Sequence, residues 1–254
     1  MLDLSNKKAL VVGVANEQSI AWGIARSLAQ AGAQVALTYL NERAKPHVQP
    51  LAESISSPIF MPLDVRNEHE AEALFQRIAD EWGKLDTLVH SIAFAPKQDL
   101  HGRVVDTSLE GIELSIDISV HSFIRLVKRS EPLMQEGGSC MTMSFYGAEK
   151  VVEHYNLMGP VKAALEATTR ELAAELGPRN ITVNTLSPGP MATRAASGIG
   201  DFDELMQSAI ERSPMRRLAS IDDVGSLAAF LASDLARNIT GETIHIDAGY
   251  HIMG

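Results

Sequence analysis

Short apolar runs alternate along the whole chain with longer amphipathic stretches. Each apolar run has the length of a buried β-strand and is bounded by polar or glycine-containing segments. Seven such runs lie at residues 9–12, 35–39, 59–63, 85–91, 139–143, 181–186 and 242–246. The pattern therefore predicts seven strands separated by helices or loops.

The amphipathic stretches have the period of an α-helix. Residues 19–31 predict a helix, with Gly32 as a cap just past its end, and residues 160–177 predict a long helix. Residues 187–215, rich in Ala, Gly, Ser, Pro and Met, predict a mobile substrate loop with short helices. A further helix is predicted over residues 68–82, with one apolar face formed by Ala71, Leu74, Phe75, Ile78 and Trp82.

Strands that alternate with helices along a chain usually pair in parallel. Right-handed crossovers then place the helices on both faces of the sheet. The sequence thus predicts an α/β fold, a doubly wound parallel seven-stranded sheet of the Rossmann type, in a single domain over residues 1–254. In such a sheet, ligands bind beyond the carboxyl ends of the strands.

Composition and charge exclude several classes of partner. The chain has 254 residues and a net charge of −10, and an acidic chain repels nucleic acid and anionic lipid. No window approaches the ~20 apolar residues of a membrane span, and the N-terminus carries no signal peptide. The single cysteine, Cys140, suits a reducing compartment, and its flanks predict a buried core position. We therefore expect a cytoplasmic protein that binds neither nucleic acid nor membranes.

The loop after the first predicted strand has features of a nucleotide-binding turn. Gly13 ends the strand and would permit close backbone approach to a diphosphate. Ser19 and the amide of Ile20 lie where a helix N-terminus faces an anion. Gly23, inside the helix, would let that helix pack close to the strand. A plain glycine-containing turn is the alternative, since loose glycine patterns are weak evidence.

Two later strand ends favour the nucleotide site. The third strand ends in Asp64 and Val65, where a side chain can bond the adenine amino group. The fourth ends in Ser91, Ile92 and Ala93, which are small enough for a ribose and a nicotinamide to lie against the sheet. Three strand ends with suitable chemistry, those of the first, third and fourth strands, therefore indicate a dinucleotide.

The second strand end bears on which nicotinamide cofactor is used. An acid there would bond the adenosine ribose, and basic residues at positions 40 and 41 would bind a 2′-phosphate. The chain has Leu40 and Asn41, so neither feature is present, and we expect NADH rather than NADPH. Arg43 is the nearby residue that favours NADPH.

Two Tyr/Lys pairs are candidates for the catalytic pair. Tyr146 and Lys150 have the spacing of ordinary short-chain dehydrogenases, but they follow the fifth strand too closely to share a helix. Those enzymes also place a Ser thirteen residues before the Tyr, where this chain has Leu133. Tyr155 and Lys162 lie at the start of the long predicted helix, almost two turns apart, so both can point to one side. We therefore favour Tyr155 and Lys162.

Other chemistry-bearing residue types carry little signal. The eight histidines show no metal-ligand spacing, so we expect structural or surface roles for them and no metal. Four methionines fall around the presumed substrate site, where core packing is the default and a flexible lining for the substrate is the alternative: Met158, Met191, Met206 and Met215.

The extended loop from Gly13 to Gly23, the run Ser91–Ile92–Ala93–Phe94–Ala95 and the Tyr155/Lys162 spacing together resemble the enoyl-acyl-carrier-protein reductases of bacterial fatty-acid synthesis. The similarity runs from Asn6 to Tyr250, although its later stretches are common to all short-chain dehydrogenases. The resemblance implies hydride transfer from NADH to the β-carbon of a trans-2-enoyl thioester. Tyr155 would then donate a hydrogen bond to the developing enolate oxygen, and Lys162 would bond the nicotinamide ribose.

The resemblance also implies further site residues and an assembly. It adds Leu40, Met191 and Thr193 to the cofactor site, and it implies a homotetramer with contact faces on the helices at 163–176 and 221–233. The substrate site would include Ala95, Tyr155, Met158 and Ala195.

The chain departs from the family pattern at two places. Phe145 stands where many members have a second Tyr of the active site, although some acyl-chain reductases also have Phe there. Gly200, Asp203 and Glu204 stand where members tend to have Lys or Arg, which predicts weak docking of an acidic carrier protein. A thioester of a different carrier, such as coenzyme A, or another unsaturated substrate therefore remains an alternative.

Two other functions fit the same fold. A carbonyl reductase or alcohol dehydrogenase predicts a Ser–Tyr–Lys set with the shorter spacing, which this chain meets poorly. A non-catalytic nucleotide-sensing protein would not need Tyr155 and Lys162 to be so placed.

Overall fold

The fold is built on one parallel sheet, as the apolar runs predict. A computed structural model describes residues 2–191 and 202–253. Its seven strands run in the order β3-β2-β1-β4-β5-β6-β7, and every pair is parallel. The strands are β1 (Lys8–Val12), β2 (Gln34–Tyr39), β3 (Phe60–Pro62), β4 (Thr87–His90), β5 (Gly138–Met143), β6 (Ile181–Pro188) and β7 (Thr243–Ile246). The predicted doubly wound fold is confirmed.

Helices connect the strands and cover both faces of the sheet. In the described ranges these are α1 (Ile20–Gln30), α2 (Lys45–Ser54), α3 (Glu68–Trp82), α4 (Lys97–Leu100), α5 (Leu109–Ile116), α6 (Ser122–Ser130), α7 (Met158–Leu176), α8 (Phe202–Arg212) and α9 (Ile221–Leu231). A single π-helical turn, Asp117–His121, joins α5 to α6. We refer to it as the π-turn.

Local sequence signals set the helix boundaries. The Asn67 side chain accepts hydrogen bonds from the backbone N–H groups of His69 and Glu70 and so caps α3. Gly83 ends this helix in the left-handed conformation, at φ 67°. At α9, Ser220 and Asp223 form a reciprocal capping box.

The period-two alternation of the strands sorts the core into two layers. Leu10 and Val12 of β1 pack with the side of the sheet covered by α3, α6 and α7. Ala9 and Val11 pack with the opposite side, covered by α1 and α9. Cys140 of β5 is fully buried in the first layer, as predicted, and burial raises the pKa of its thiol to about 12.

Gly23 has a different role from the predicted one. A Cβ at this position would lie 2.4 Å from the carbonyl oxygen of Ile221, at the start of α9. A Cβ on Gly225 of α9 would in turn lie 2.5 Å from the carbonyl oxygen of Gly23. These glycines therefore let α1 and α9 pack backbone to backbone, so the prediction that Gly23 serves contact with the strand is wrong.

The predicted substrate loop, residues 187–215, is only partly described. Its beginning continues β6 as far as Pro188, and its later half contains α8, a helix of three turns.

No helix in the described part of the chain is long and apolar enough to cross a membrane. The described residues also contain no cluster of His, Cys, Asp and Glu side chains that could hold a metal ion.

Candidate active site

A cavity of about 350 Å³ opens at the carboxyl ends of the central strands, where ligands bind in a doubly wound sheet. Its wall is mostly apolar, with four polar side chains among the described residues, those of Ser91, Ser144, Tyr155 and Lys162. The lining consists of Ile20, Ser91, Ile92, Ala93, Phe94, Ala95, Leu100, Met143, Ser144, Phe145, Tyr155, Met158, Lys162, Pro188, Gly189, Pro190 and Met191.

The loop after β1 is shaped by its neighbours within the protein. Gly13 has φ 110°, and a Cβ there would lie 2.0 Å from the carbonyl oxygen of Ser91. Glycine is therefore required by the close approach of β1 to the end of β4. The Ser19 hydroxyl accepts hydrogen bonds from the N–H groups of Ala15 and Asn16, at 3.0 Å each. This fold of the loop places the first residue of α1, Ile20, in the cavity wall.

The predicted adenosine residues lie outside the cavity, at the ends of β2 and β3. Leu40 is 55% exposed, and Arg43 is also exposed. The carboxylate of Asp64 is partly exposed and accepts a 2.9 Å hydrogen bond from the backbone of Arg66. Val65 is buried, and its carbonyl accepts a hydrogen bond from Arg125 of α6 at 2.9 Å. Leu40, Asp64 and Val65 thus form a partly exposed surface beside the cavity, which we call the shelf.

The segment after β4 is held by the π-turn. The Ser119 hydroxyl bonds both backbone groups of Phe94: it accepts from the N–H at 3.0 Å and donates to the carbonyl at 3.2 Å. The predicted residues Ser91, Ile92, Ala93 and Ala95 consequently form one wall of the cavity. Met191 and Met158 lie in the wall as well, whereas Met206 and Met215 do not.

Tyr155 and Lys162 reach the cavity together. Tyr155 lies three residues before α7, and Pro160 occupies the first turn, where its missing N–H costs little. The Lys162 ammonium donates a 2.7 Å hydrogen bond to the carbonyl of Met143 at the end of β5. The Tyr155 ring packs edge-on against Phe145, with 4.8 Å between ring centroids. The structure thus brings the three predicted catalytic positions to one place.

Burial changes the acid–base properties of this pair. Tyr155 is 7% exposed, and burial, with the charge of Glu166, raises the pKa of its hydroxyl well above the ordinary value. Lys162 is 5% exposed, and burial lowers the pKa of its ammonium to about 8, against the opposing effect of Glu166. At neutral pH the site therefore holds a neutral phenol and a predominantly protonated amine.

The structure places the disfavoured pair, Tyr146 and Lys150, away from the cavity. Tyr146 lies in a 3₁₀ turn, Tyr146–Ala148, well before α7, and its ring contacts Tyr250 at 5.6 Å. Lys150 is exposed, and neither residue lines the cavity. Gly147 of the same turn lies against the Tyr155 ring, since a Cβ there would be 2.3 Å from Cδ1. The 3₁₀ turn therefore packs against the Tyr155 ring.

A family model described as enoyl-(acyl carrier protein) reductase matches residues 13–251. The chain belongs to the enoyl-acyl-carrier-protein reductase family. The resemblance seen in the sequence is therefore confirmed, and the match supports this function over a carbonyl reductase or a nucleotide sensor.

Individual relatives agree over the whole chain. An enoyl-[acyl-carrier-protein] reductase [NADH] of Rhizobium meliloti is 46% identical over 99% of this chain and 92% of its own length. The Synechocystis enzyme of the same description is 46% identical over the full length of both chains.

Solved structures show the same fold. The Anaplasma phagocytophilum reductase in complex with NAD has a TM-score of 0.95 at 49% identity, covering 99% of this chain and 96% of its own. The Bacillus cereus reductase with NADP⁺ and an indole naphthyridinone has a TM-score of 0.97 at 45% identity, with both chains fully covered.

Two polar residues of this reductase site were missed from the sequence. Ser144 follows β5 and lines the cavity, and its hydroxyl hydrogen-bonds the carboxylate of Glu166 on α7. Glu166 is 8% exposed. Its position four residues after Lys162 was the available signal, but acid–lysine pairs at that spacing are common on solvated helices.

His90 is a structural residue of the reductase core, as expected. The Ser122 hydroxyl donates to the Ile118 carbonyl at 2.6 Å, so it accepts from His90 Nε2 at 2.8 Å, and Nδ1 accepts from Thr142 at 2.9 Å. Burial, with the nearby charge of Lys162, lowers the pKa of His90 to about 3, so the ring is neutral. It fixes the end of β4 to β5 and α6.

Several predicted positions lie outside the described residues. These are Thr193 of the cofactor site, Ala195 of the substrate site and Gly200 of the docking region. The side chain of Asp203 is not described either. Glu204, one residue further along α8, is exposed.

Proposed function

We propose that this chain reduces the C2=C3 double bond of trans-2-enoyl thioesters with NADH in fatty-acid synthesis. The curated relatives are named as NADH-dependent enoyl-acyl-carrier-protein reductases at 44–46% identity over nearly the whole chain. The observation that carries the proposal is the placement of Tyr155 and Lys162 in one largely apolar cavity at the strand ends.

The cavity fits the reacting end of a nicotinamide cofactor. Small residues at Ser91 and Ala93 leave room against the sheet, and the buried Lys162 ammonium is a donor suited to ribose hydroxyls. The cofactor would supply the hydride, and the protein contributes binding, orientation and exclusion of water. Gly13, Ser19 and Ile20 shape the neighbouring loop for the diphosphate, and Leu40, Asp64 and Val65 form the shelf for the adenosine.

Tyr155 would act on the substrate oxygen. Reduction at the β-carbon places negative charge on the thioester oxygen as an enolate. A phenol whose pKa is raised stays protonated at neutral pH and donates a hydrogen bond to that charge, which is worth more in a buried site than in water. Phe145, Met158 and Ala95 surround the position with apolar surface for the first carbons of the acyl chain.

The direct test is Tyr155→Phe, assayed by NADH oxidation with crotonyl thioesters. Removing one donor to a developing oxyanion lowers kcat by about 10²- to 10³-fold, while NADH affinity should hardly change. Tyr146→Phe is the matched control, because Tyr146 lies outside the cavity wall, and its kcat should equal that of the wild type. Unchanged turnover in Tyr155→Phe would refute the assignment, and reduction of acetoacetyl thioesters instead would indicate a carbonyl reductase.

We also propose the assembly and setting implied by the family resemblance. The chain would form a single domain that assembles as a homotetramer through α7 and α9, which light scattering would contradict by a monomer mass at micromolar concentration. A lone buried cysteine is consistent with a cytoplasmic location. Thr193 and Ala195 are proposed for cofactor and substrate on resemblance alone. An acyl-carrier-protein thioester is the proposed substrate, and how well the carrier docks is tested below.

A further inference from the structure

Lys162 needs a counter-charge in order to do its proposed work. Its side chain is almost completely buried, and burial disfavours the ammonium form. Its ammonium donates a hydrogen bond to a neutral carbonyl, that of Met143, which brings no opposite charge. Glu166 is the carboxylate that favours the charged form.

Two adjacent residues at the end of β5 hold two residues of α7. Met143 accepts from Lys162, and the next residue, Ser144, hydrogen-bonds Glu166 one helical turn further on. Residues four apart on a helix lie on the same face. The carboxylate is therefore fixed beneath the cavity, on the same side of the helix as the ammonium.

The Ser144 hydroxyl is committed by this arrangement. An ionised carboxylate is an acceptor only, so the Ser144 hydroxyl must donate to Glu166. Ser144 lines the cavity but has no proton left to offer the thioester oxygen. The Ser144 hydroxyl thus donates its hydrogen bond to Glu166, and the Tyr155 hydroxyl is the donor left for the substrate oxygen.

We propose that Glu166 is a positioning residue of this active site: held by Ser144, it supplies the negative charge that keeps Lys162 protonated and in place against the end of β5. The inference rests on the proposed function of Lys162 in holding the cofactor. It adds a residue that contacts neither substrate nor cofactor and acts only through Lys162.

The other titratable groups near the pair do not replace Glu166. His90, across the sheet end, is neutral because its pKa is lowered to about 3, and Tyr155 is neutral because its pKa is raised. Glu149, on the loop after β5, raises the pKa of Glu166, whereas Ser144, Arg170 and Lys162 itself lower it. Burial is the largest effect on Glu166 and raises its pKa, and the Ser144 hydrogen bond is the largest effect that opposes burial and favours the charged carboxylate.

The test is the pH dependence of NADH binding in Glu166→Gln, measured by fluorescence titration without substrate. At pH 6, Lys162 is protonated in both proteins, and the ratio of variant to wild-type Kd should be close to one. Losing an opposite charge lowers the Lys162 pKa by roughly one unit from about 8, so the ratio should rise to about fivefold at pH 8. A purely structural defect would weaken binding equally at both pH values.

Two further variants make the test decisive. Glu171→Gln removes the same charge from an exposed position of α7 and should give a ratio of one throughout. Ser144→Ala weakens the hold on Glu166 and should give a smaller rise with pH, in the same direction. A Glu166→Gln ratio that does not change with pH, or a Ser144→Ala ratio fixed at one, overturns the proposal. Lys162→Ala distinguishes failure of the proposal for Glu166 from failure of the proposed function of Lys162. If this variant binds NADH with wild-type affinity, Lys162 does not hold the cofactor.

Discussion

The two ends of the proposed cofactor site lie on the same sheet edge but differ in exposure. At the adenosine end, Leu40 is 55% exposed and Asp64 partly exposed, on short open connections after β2 and β3. At the nicotinamide end, Tyr155 and Lys162 are 7% and 5% exposed, and they are enclosed by the segments that follow β4, β5 and β6.

Burial gives the reacting end its chemistry. Charges and hydrogen bonds are strong where water is excluded and are screened where it is not. The nicotinamide end therefore holds a phenol and an amine with altered pKa values, whereas the adenosine end offers a shelf for recognition. We expect substitutions to have large effects in the enclosed half and small ones at exposed positions.

The largest effect should come from Gly13, where the two halves meet. In Gly13→Ala, the new Cβ would overlap the carbonyl of Ser91, and the residue would also keep a φ of 110°. Overpacking and backbone strain together should lower the free energy of unfolding by about 3 kcal/mol or more. Urea denaturation measures this loss.

Gly83→Ala is the matched control for that experiment. Gly83 also has a positive φ, of 67°, but a Cβ there would meet no atom within 4 Å. The loss should then be limited to backbone strain, about 1 kcal/mol. Equal losses in the two variants would mean that the contact between β1 and β4 is not what requires Gly13.

The next effect concerns the buried charge of Lys162. Its folded-state pKa of about 8 lies below its ordinary value of 10.5, so the penalty for burying the ammonium is fully present below pH 8. The penalty is lost as pH rises from about 8 towards 10.5, because the folded state then holds fewer protons than the unfolded state. The wild type should gain about 2 kcal/mol of unfolding free energy relative to Lys162→Met between pH 8 and pH 10.

Parallel denaturation curves of both proteins at several pH values test this. Groups that do not interact with Lys162 titrate equally in the two chains, so the difference between the curves reports on Lys162 and on its coupling to His90 and Glu166. Parallel pH profiles would show that Lys162 keeps an ordinary pKa in the folded protein. In the same variant, NADH affinity should fall about tenfold or more, since a hydrogen bond to a charged group is lost.

The sequence predicted those features that depend on short-range pattern. The apolar face predicts helix α3 at its observed residues, and the structure shows that Asn67 and Gly83 cap it at those ends. All seven strands were found because buried parallel strands read as continuous apolar runs. Tyr155 is favoured over Tyr146 by its distance from the strand, by the absence of a Ser at position 133 and by its spacing from Lys162, and the structure places Tyr155 in the cavity wall.

The features that the sequence did not predict depend on which surfaces meet. Gly23 has the same local pattern whether it faces a strand or α9, and only the packing of α1 decides. The sequence around Glu166 does not distinguish it from an acidic residue on the exposed face of a helix. Glu166 is buried because α7 packs against the end of β5, where Ser144 hydrogen-bonds its carboxylate. The helices between β4 and β5 were not predicted from the sequence. The π-turn at Asp117–His121 interrupts the 3.6-residue period there, so the apolar positions do not form one regular helical pattern.

The smallest effect should arise at an exposed position, on the surface where a carrier protein would dock. Glu204 of α8 is exposed. The family resemblance implies that an acidic carrier docks near residues 203 and 204, and the acidic residue types at both positions would oppose it. Replacing both with Lys should raise kcat/KM for a carrier-protein thioester by between about twofold and fivefold, because exposed pairs contribute little. A short coenzyme A thioester serves as the control and should be unaffected.

The gain should shrink as salt rises, since exposed charges are screened within roughly 10 Å at 0.1 M ionic strength. If the wild type strongly prefers the carrier-protein thioester and the double variant gains nothing, the carrier must dock elsewhere. The next residues to replace are then Arg194, which lies outside the described residues, and the exposed Arg216 and Arg217.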